Sequence, residues 1–251
     1  MYNFAFQNPT RVLFGAGQIA QLSTQIPRDA RVLITYGGGS VVRHGVLAEV
    51  KQALDGYDVM EFGGIEPNPT YETLMQAVEV VKRYKRDFLL AVGGGSVIDG
   101  TKFIAAAACW VGSDPWDILL GHSNKIEATV PLGCVLTLPA TGSEMNCGAV
   151  ISRKVTRVPF PAAGGANAGV TLVTKSQQDK LFFTHPGVYP QFSILDPEKT
   201  FTLPPQQTAN GVVDAFVHVM EQYLTFPVQA KVQERFAEGL LQTLIEDGPV
   251  V

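Results

Sequence analysis

Asp214 and His218 are two residues whose types and spacing could hold a metal ion. They lie four positions apart in an apolar pattern of helical period, so on a helix they project roughly 40° from one another and can reach one ion. A carboxylate oxygen with an imidazole nitrogen suits Fe²⁺ or Zn²⁺, and geometry alone does not choose between them. Because two ligands do not define a site, the spacing by itself favours a polar notch on an apolar helix.

Two glycine runs could hold phosphate: Gly37-Gly38-Gly39-Ser40 and Gly93-Gly94-Gly95-Ser96. Glycine lets the backbone approach an anion closely, and amides at a helix start point towards it. Neither run matches the G-x-G-x-x-G fingerprint of dinucleotide-binding domains, and one such loop is weak support because glycine often marks only a tight turn. Two loops at successive strand ends strengthen the hypothesis, because ligands bind at the carboxyl edge of parallel sheets.

The elements that must position these residues alternate short apolar runs with amphipathic ones. Continuous rather than alternating apolar strands, separated by helices, indicate a parallel sheet covered on both faces. The sequence therefore predicts a doubly wound α/β nucleotide-binding domain. Its predicted strands are Val32–Tyr36, Val59–Phe62, Phe88–Val92, Val130–Leu138 and Phe192–Leu195, and its clearest helices run from Val46 to about Gly56 and from Tyr71 to Tyr84.

The pattern changes after Pro204-Pro205. Residues 207–224 and 228–244 carry apolar side chains at helical spacing, and helix following helix suggests a separate all-helical domain. We predict an α/β dinucleotide-binding domain over 1–199 and an incomplete helical metal-binding domain over 200–251. Two amphipathic helices need partners for their apolar stripes, so we expect the chain to stop before its helical domain and metal site are complete.

Composition and charge argue against several classes of function. The chain has 251 residues, is 46% hydrophobic and carries a net charge of −4, which does not suit a nucleic-acid surface. The longest apolar run, Phe103–Val111, is too short to cross a bilayer, and the N-terminus lacks the pattern of a secretory signal. Cys109, Cys134 and Cys147 are widely spaced and read as reduced thiols. We expect a cytoplasmic protein without nucleic-acid or membrane partners.

A set of longer motifs resembles the iron-containing alcohol dehydrogenase family. G-G-G-S-x-x-D-x-x-K, which ends at Lys102, follows a strand and is preceded by Pro67-Asn68-Pro69. Within that family, the openings Thr10–Gly17 and Thr35–Ser40 resemble the NADPH-dependent butanol dehydrogenase and broad aldehyde reductase branch. Further matches are Leu138–Glu144, Asp196-Pro197 and Gly211–His218. The resemblance implies a dehydroquinate synthase-like architecture.

The resemblance also implies an activity and a set of site residues. The activity is hydride transfer between NADP(H) and a primary alcohol or aldehyde, with bound Zn or Fe polarising the substrate oxygen. Asp214 and His218 become metal ligands that act in catalysis through the ion, and the full-length enzyme is expected to be a homodimer. The implied nucleotide-binding residues are Gly94, Gly95 and Ser96 at the pyrophosphate, Asp99 nearby, and Thr137, Thr141 and Lys180 along the cleft.

The first glycine loop favours NADP over NAD on physical grounds. NAD enzymes commonly place an acid against the ribose hydroxyls, and that acid would repel a 2′-phosphate. Gly37, Gly38, Gly39 and Ser40 offer backbone amides and a hydroxyl but no acid. The sequence therefore predicts NADP(H) as the cofactor, in agreement with the branch it resembles.

The sequence departs from the family in two places. Family members supply two further histidine ligands from later helices, whereas His44, His122 and His185 match no ligand motif. We therefore expect this chain alone to bind metal weakly and to have little or no dehydrogenase activity. The second departure is Val158–Gln178, which is rich in Gly, Ala and Pro and predicts a long surface loop or hairpin extension where the family makes a short connection.

Three hypotheses remain open from the sequence. The first is an NADP-dependent alcohol dehydrogenase or aldehyde reductase, and the second is a non-catalytic nucleotide-binding fragment of such an enzyme. The third is a glycerol dehydrogenase-like enzyme, which shares the architecture but matches the glycine loop and the Asp214 segment less well. Turnover of NADPH with short aldehydes separates the first from the second.

Overall fold

The computed structural model describes residue 3 and residues 5–156, 176–225 and 230–250. The strands in these ranges are β1 (Arg11–Phe14), β2 (Arg31–Tyr36), β3 (Asp58–Phe62), β4 (Phe88–Gly94), β5 (Leu132–Leu138), β6 (Gly148–Thr156), β7 (Ser176–Thr184) and β8 (Phe192–Leu195). The helices are α1 (Leu22–Gln25), α2 (Ser40–Arg43), α3 (Val46–Ala53), α4 (Tyr71–Arg83), α5 (Gly95–Ala108), α6 (Pro205–Thr225) and α7 (Lys231–Asp247).

Six strands form one parallel sheet in the order β1-β8-β5-β4-β2-β3. Its central strands bury alternate residues on opposite faces, because successive side chains of a strand point to opposite sides. Leu33 and Leu89 pack with α4 and α5 in one core, whereas Ile34 and Leu90 pack with α3 in the other. The predicted doubly wound α/β class is confirmed, and each of the five predicted strands lies in this sheet.

Three strands were not predicted. Strand β1 pairs with β8 at the edge of the sheet, and most of its side chains are exposed. Strands β6 and β7 form a separate antiparallel hairpin, with Gly148 opposite Thr184 and Ser152 opposite Lys180. The segment interpreted as a loop or hairpin extension over Val158–Gln178 is therefore strand at its last three positions, while residues 158–175 lie outside the described ranges.

Helices α6 and α7 follow one another directly, as the sequence indicated, and Tyr223 of α6 donates a hydrogen bond to Glu238 of α7 at 3.1 Å. Both helices keep large apolar side chains exposed, including Val213, Val217 and Phe236. No helix within the described ranges is long and apolar enough to cross a membrane. The domain division at residue 200 stays a prediction.

Candidate functional site

The predicted site residues follow neighbouring strands of the sheet. Strands β2, β4 and β5 are adjacent and parallel, so the segments after Tyr36, Gly94 and Leu138 emerge at the same edge. The first two segments lie close together: a Cβ on Gly37, which follows β2, would lie 3.5 Å from Cγ2 of Val97, which follows β4. The glycine loops therefore lie side by side at the carboxyl edge, where ligands of doubly wound sheets bind.

The second glycine loop is packed tightly against the segment that follows β5. A Cβ on Gly94 would lie 3.1 Å from Leu138 Cβ, and a Cβ on Gly95 would overlap the side chain of Thr141. Only glycine fits both positions without displacement, and Gly95 opens α5, a helix of 14 residues. The structure thus brings Gly95 and the predicted cleft residue Thr141 into direct contact at a helix start, where free backbone amides favour an anion.

The first glycine loop and β5 share an open cleft of 230 Å³. Gly39 has a φ of 97°, in the left-handed region that favours glycine, and turns the chain into the short helix α2. The predicted residues Ser40 and Thr137 both line this cleft. Its other lining residues are Val41, Arg43, His44, Val46, Lys199, Thr202, Leu203 and Pro204.

Lys180 reaches the second glycine loop from the hairpin. Its Nζ donates to Asn68 Oδ1 at 2.8 Å, and the backbone amide of Asn68 donates to Ser96 Oγ at 3.4 Å. The hairpin is anchored at the same place, because the amide of Ser152, opposite Lys180 in the ladder, donates to Pro69 O at 2.9 Å. The exposed ammonium group therefore lies one residue contact away from Ser96, beside the start of α5.

Asp99 is held by protein donors on both carboxylate oxygens. Ser143 Oγ donates to its Oδ1 at 2.5 Å and the amide of Val150 to its Oδ2 at 2.9 Å, while burial raises the pKa of this carboxyl group. These contacts fix the turn after β5 and the start of β6 against α5. The described geometry gives Asp99 a supporting position, and its role towards a nucleotide stays a prediction.

Lys102 completes this support and was not among the predicted site residues. Its side chain is fully buried, and Nζ donates to Ser143 Oγ at 3.0 Å, Asn146 Oδ1 at 2.9 Å and Gly148 O at 2.9 Å. Burial lowers the pKa of Lys102 to about 8, against the opposing charge of Asp99. A lysine inside the apolar run of α5 was the sequence signal for such a role, since lysine is almost never fully buried unless it is paired.

Asp214 and His218 lie together on α6 as predicted from their spacing. Asp214 Oδ2 and His218 Nε2 are 3.8 Å apart, and both side chains are about half exposed. Ligand atoms about 2.1 Å from a tetrahedral metal stand about 3.4 Å from each other, so the pair fits two positions around one ion after a small adjustment. Within the described ranges, no group of three or more His, Cys, Asp or Glu side chains could hold a metal.

Helix α6 is joined to the carboxyl edge by a glycine contact. A Cβ on Gly211 would lie 2.9 Å from Pro139 O, in the segment that carries Thr137 and Thr141 on either side. Gly211 lies three residues before Asp214. Helix α6 therefore approaches the segment after β5 closely at Gly211, and the role of Asp214 and His218 as metal ligands stays a prediction.

Comparison with known proteins identifies the family. A family model described as iron-containing alcohol dehydrogenase matches residues 9–163. The chain belongs to the iron-containing alcohol dehydrogenase family. The resemblance predicted from the G-G-G-S-x-x-D-x-x-K motif is therefore confirmed.

Individual relatives agree with this assignment. The chain is 60% identical over 250 residues to the NADPH-dependent aldehyde reductase YqhD of Escherichia coli K12, covering 99% of this chain and 59% of that protein. It is 42% identical over 252 residues to a probable NADH-dependent butanol dehydrogenase of Bacillus subtilis, again covering 99% and 59%. The chain thus spans about three-fifths of the length of these relatives, whose names include both NADPH and NADH.

Solved structures of the family share the fold. The crystal structure of E. coli YqhD superposes with a TM-score of 0.88 at 60% identity and covers 98% of this chain and 58% of that one. NADH-dependent butanol dehydrogenase A from Thermotoga maritima superposes with a TM-score of 0.86 at 36% identity and covers 99% of this chain and 57% of that one. The fold of these structures is therefore reproduced over nearly all of this chain.

Proposed function

We propose that this chain binds NADP(H) at the carboxyl edge of its sheet and takes part in metal-dependent hydride transfer between that cofactor and a primary alcohol or aldehyde. The observation that carries the proposal is the pairing of two glycine-serine loops on adjacent strand ends, with Ser40 and Thr137 lining one cleft. The names of the relatives, aldehyde reductase and butanol dehydrogenase, supply the substrate class.

The second loop is assigned to the pyrophosphate. Gly94 and Gly95 carry no side chain that would stand between the backbone and a ligand, and Ser96 lies in the first turn of α5. Thr141 offers an exposed hydroxyl against Gly95, and Lys180 adds a positive charge beside Ser96. Phosphate oxygens accept hydrogen bonds from such amides and hydroxyls, and the helix start favours their charge.

The first loop is assigned to the adenosine ribose, and its chemistry favours NADP(H) over NAD(H). Among the described residues that line the cleft, none is a carboxylate, whereas Arg43 and Lys199 are cations. A ribose-binding acid would repel a 2′-phosphate, so its absence from the described lining suits the phosphorylated cofactor. The amides of Gly37, Gly38 and Gly39 and the hydroxyl of Ser40 are further donors on this loop.

Asp214 and His218 are assigned to a divalent metal, for which both Zn²⁺ and Fe²⁺ suit the donor set. When bound, the ion would act as a Lewis acid towards the alcohol or aldehyde oxygen, and the nicotinamide would supply or accept hydride. The protein's part is to hold one carboxylate oxygen and one imidazole nitrogen on the same face of α6, 3.8 Å apart. Gly211, packed on Pro139, sets the approach of that face to the nucleotide segments.

A second candidate is nucleotide binding without turnover. It is favoured by the metal-ligand count, because Asp214 and His218 are two ligands and a catalytic zinc commonly uses three protein ligands with an open position. In this reading the glycine loops still bind NADP(H), while the chain by itself reduces no aldehyde.

The test measures binding and turnover separately on the same preparation. NADPH and NADH are titrated calorimetrically, and NADPH oxidation with butanal is followed with and without added Zn²⁺ or Fe²⁺, using His218→Ala as the control. Metal-dependent turnover that His218→Ala abolishes supports the oxidoreductase, whereas NADPH binding without turnover supports the second candidate. Absence of NADPH binding refutes both.

The proposal extends to domain division and location. A nucleotide domain over 1–199 and a helical metal-binding part from 200 agree with the start of α6 at Pro205. A cytoplasmic location agrees with Cys109, Cys134 and Cys147 being free thiols, because cytosolic proteins rarely keep disulfides.

A further inference from the structure

We propose that Arg43 selects the cofactor by binding the 2′-phosphate of NADP(H), so that it discriminates NADPH from NADH. This inference rests on the proposed function and adds a specificity-determining residue to it. Arg43 was not among the residues predicted from the sequence, because an exposed arginine after a helical turn has no distinctive pattern.

The position of the guanidinium group carries the argument. Arg43 ends the short helix α2, and its amide donates to Gly39 O at 3.0 Å. Its side chain folds back over the glycine loop, because Nη1 lies 3.6 Å from the place that a Cβ on Gly39 would occupy. A β-carbon at position 39 would therefore stand directly beside the guanidinium group, and glycine leaves that space open to a ligand.

Among the described residues that line the cleft, Arg43 and Lys199 are the cations, and they differ in their partners. Lys199 also lines the cleft, but its Nζ lies 2.7 Å from Glu49 Oε2 and 3.7 Å from Asp196 Oδ2, and its side chain is only 17% exposed. These carboxylates raise the pKa of Lys199 and offset its charge. Arg43 is exposed, and the described lining brings it together with the Ser40 and Thr137 hydroxyls but with no carboxylate.

The chemistry of the guanidinium group matches a phosphate monoester. Its planar fork can donate two parallel hydrogen bonds to two phosphate oxygens. NADH presents a 2′-hydroxyl in place of that phosphate, so it offers no anion to the fork. Arg43 should therefore contribute to the affinity for NADPH and leave the affinity for NADH almost unchanged.

The test compares the whole chain with Arg43→Ala and Arg43→Gln, and with Lys125→Ala as a matched loss of one exposed positive charge outside the cleft. NADPH, NADH, adenosine 2′,5′-bisphosphate and adenosine 5′-phosphate are titrated calorimetrically at two salt concentrations. Both Arg43 variants are expected to weaken NADPH and the bisphosphate about tenfold, with little effect on the two ligands that lack the 2′-phosphate. The wild-type preference for NADPH should shrink as salt rises, because the exposed ion pair is screened.

Every other outcome refutes either the role of Arg43 alone or the proposed function together with it. Equal losses for NADPH and NADH, or no loss in either Arg43 variant, refute the role of Arg43 while the proposed function stands. The same holds if Lys125→Ala reproduces the loss, since the effect is then one of net charge. A wild-type chain that binds neither dinucleotide refutes the proposed function and this inference together.

Discussion

Replacing Lys102 with methionine tests how the fold supports the loops of the candidate site. Methionine approximates the length of lysine but removes the buried ammonium group that donates to Ser143, Asn146 and Gly148. Those acceptors and the neighbouring carboxylate of Asp99 would lose their cation inside the protein. Removing one partner of a buried charged pair costs about 3 to 5 kcal/mol, so Lys102→Met should lower the free energy of unfolding by about that amount at neutral pH.

The pH dependence of the free energy of unfolding separates the effect of the Lys102 charge from the effect of its packing. Burial lowers the pKa of Lys102 from 10.5 to about 8, so the unfolded chain binds this proton more tightly than the folded one. The resulting penalty on the folded state is fully present below pH 8 and is relieved as the pH rises towards 10.5. The difference corresponds to about 3 kcal/mol in all, of which about 1 kcal/mol falls between pH 7.5 and 9.

The buried thiol of Cys134 acts with the opposite sign. Burial raises its pKa from 9.0 to about 12, so the unfolded chain loses this proton first and stability falls as the pH rises through 9. Burial, the largest cause, is common to wild type and variant, so that part cancels when their free energies of unfolding are subtracted; the charge of Lys102 also lowers the pKa of Cys134, and that smaller part does not cancel.

The assay is urea unfolding at pH 7.5, 8, 8.5 and 9 for wild type, Lys102→Met and the surface control Lys125→Met. Wild type should gain about 1 kcal/mol relative to Lys102→Met across this range, while Lys125→Met follows wild type. Parallel pH curves for wild type and Lys102→Met, or equal stability at pH 7.5, would refute a buried, charge-bearing Lys102.

Three further predictions concern the glycine loop, the metal pair and the hairpin. Gly95→Ala should destabilise the protein by about 1 to 3 kcal/mol in urea unfolding, because its methyl group overlaps Thr141, and adding Thr141→Gly should restore most of the loss. His218→Ala should weaken Zn²⁺ binding measured by calorimetry while His122→Ala does not, and equal affinities would contradict a ligand role on α6. Arg153→Lys should lower the melting temperature by an amount equivalent to about 1 kcal/mol. Lysine keeps the charge but loses the planar contact of the guanidinium group with the rings of Tyr71 and Trp116, whose centroids lie 4.3 and 5.3 Å away. An unchanged melting temperature would show that this contact does not stabilise the fold.

Four of the five strands that the sequence revealed lie in the interior of the sheet, and the fifth, β3, is an edge strand with partly buried side chains. Phe88–Gly94 is apolar at every position before its glycines, and that pattern has few explanations other than an interior strand. Arg11–Phe14 escaped prediction because an exposed edge strand carries no comparable apolar run, and its strand state depends on pairing with β8. The hairpin escaped for a related reason, since β6 and β7 owe their conformation to each other across residues distant in sequence.

The residues of the candidate site also divide into those that the sequence could predict and those that it could not. Ser40 was predicted from its glycine loop at a strand end, whereas Thr137 was implied only by the family resemblance; the structure brings both to one cleft. Lys102 could not be predicted, because its three acceptors lie more than forty positions along the chain and meet it only after folding. Arg43 could not be predicted either. Its side chain lies beside Gly39, four residues earlier, and the left-handed backbone conformation of Gly39 is visible only in the folded structure.

Lys180 lies within a ladder of paired backbone formed by β6 and β7. Pairing continues from Gly148 opposite Thr184 to Thr156 opposite Ser176, and Lys180 sits midway, opposite Ser152. The register of β6 and β7 therefore determines where the ammonium group of Lys180 lies. Several paired positions separate Lys180 from the end of the ladder at Ser176. Protein engineers can use this register: we expect an epitope or a fluorescent reporter peptide grafted between Thr156 and Ser176 to leave the Lys180 contact with Asn68 intact.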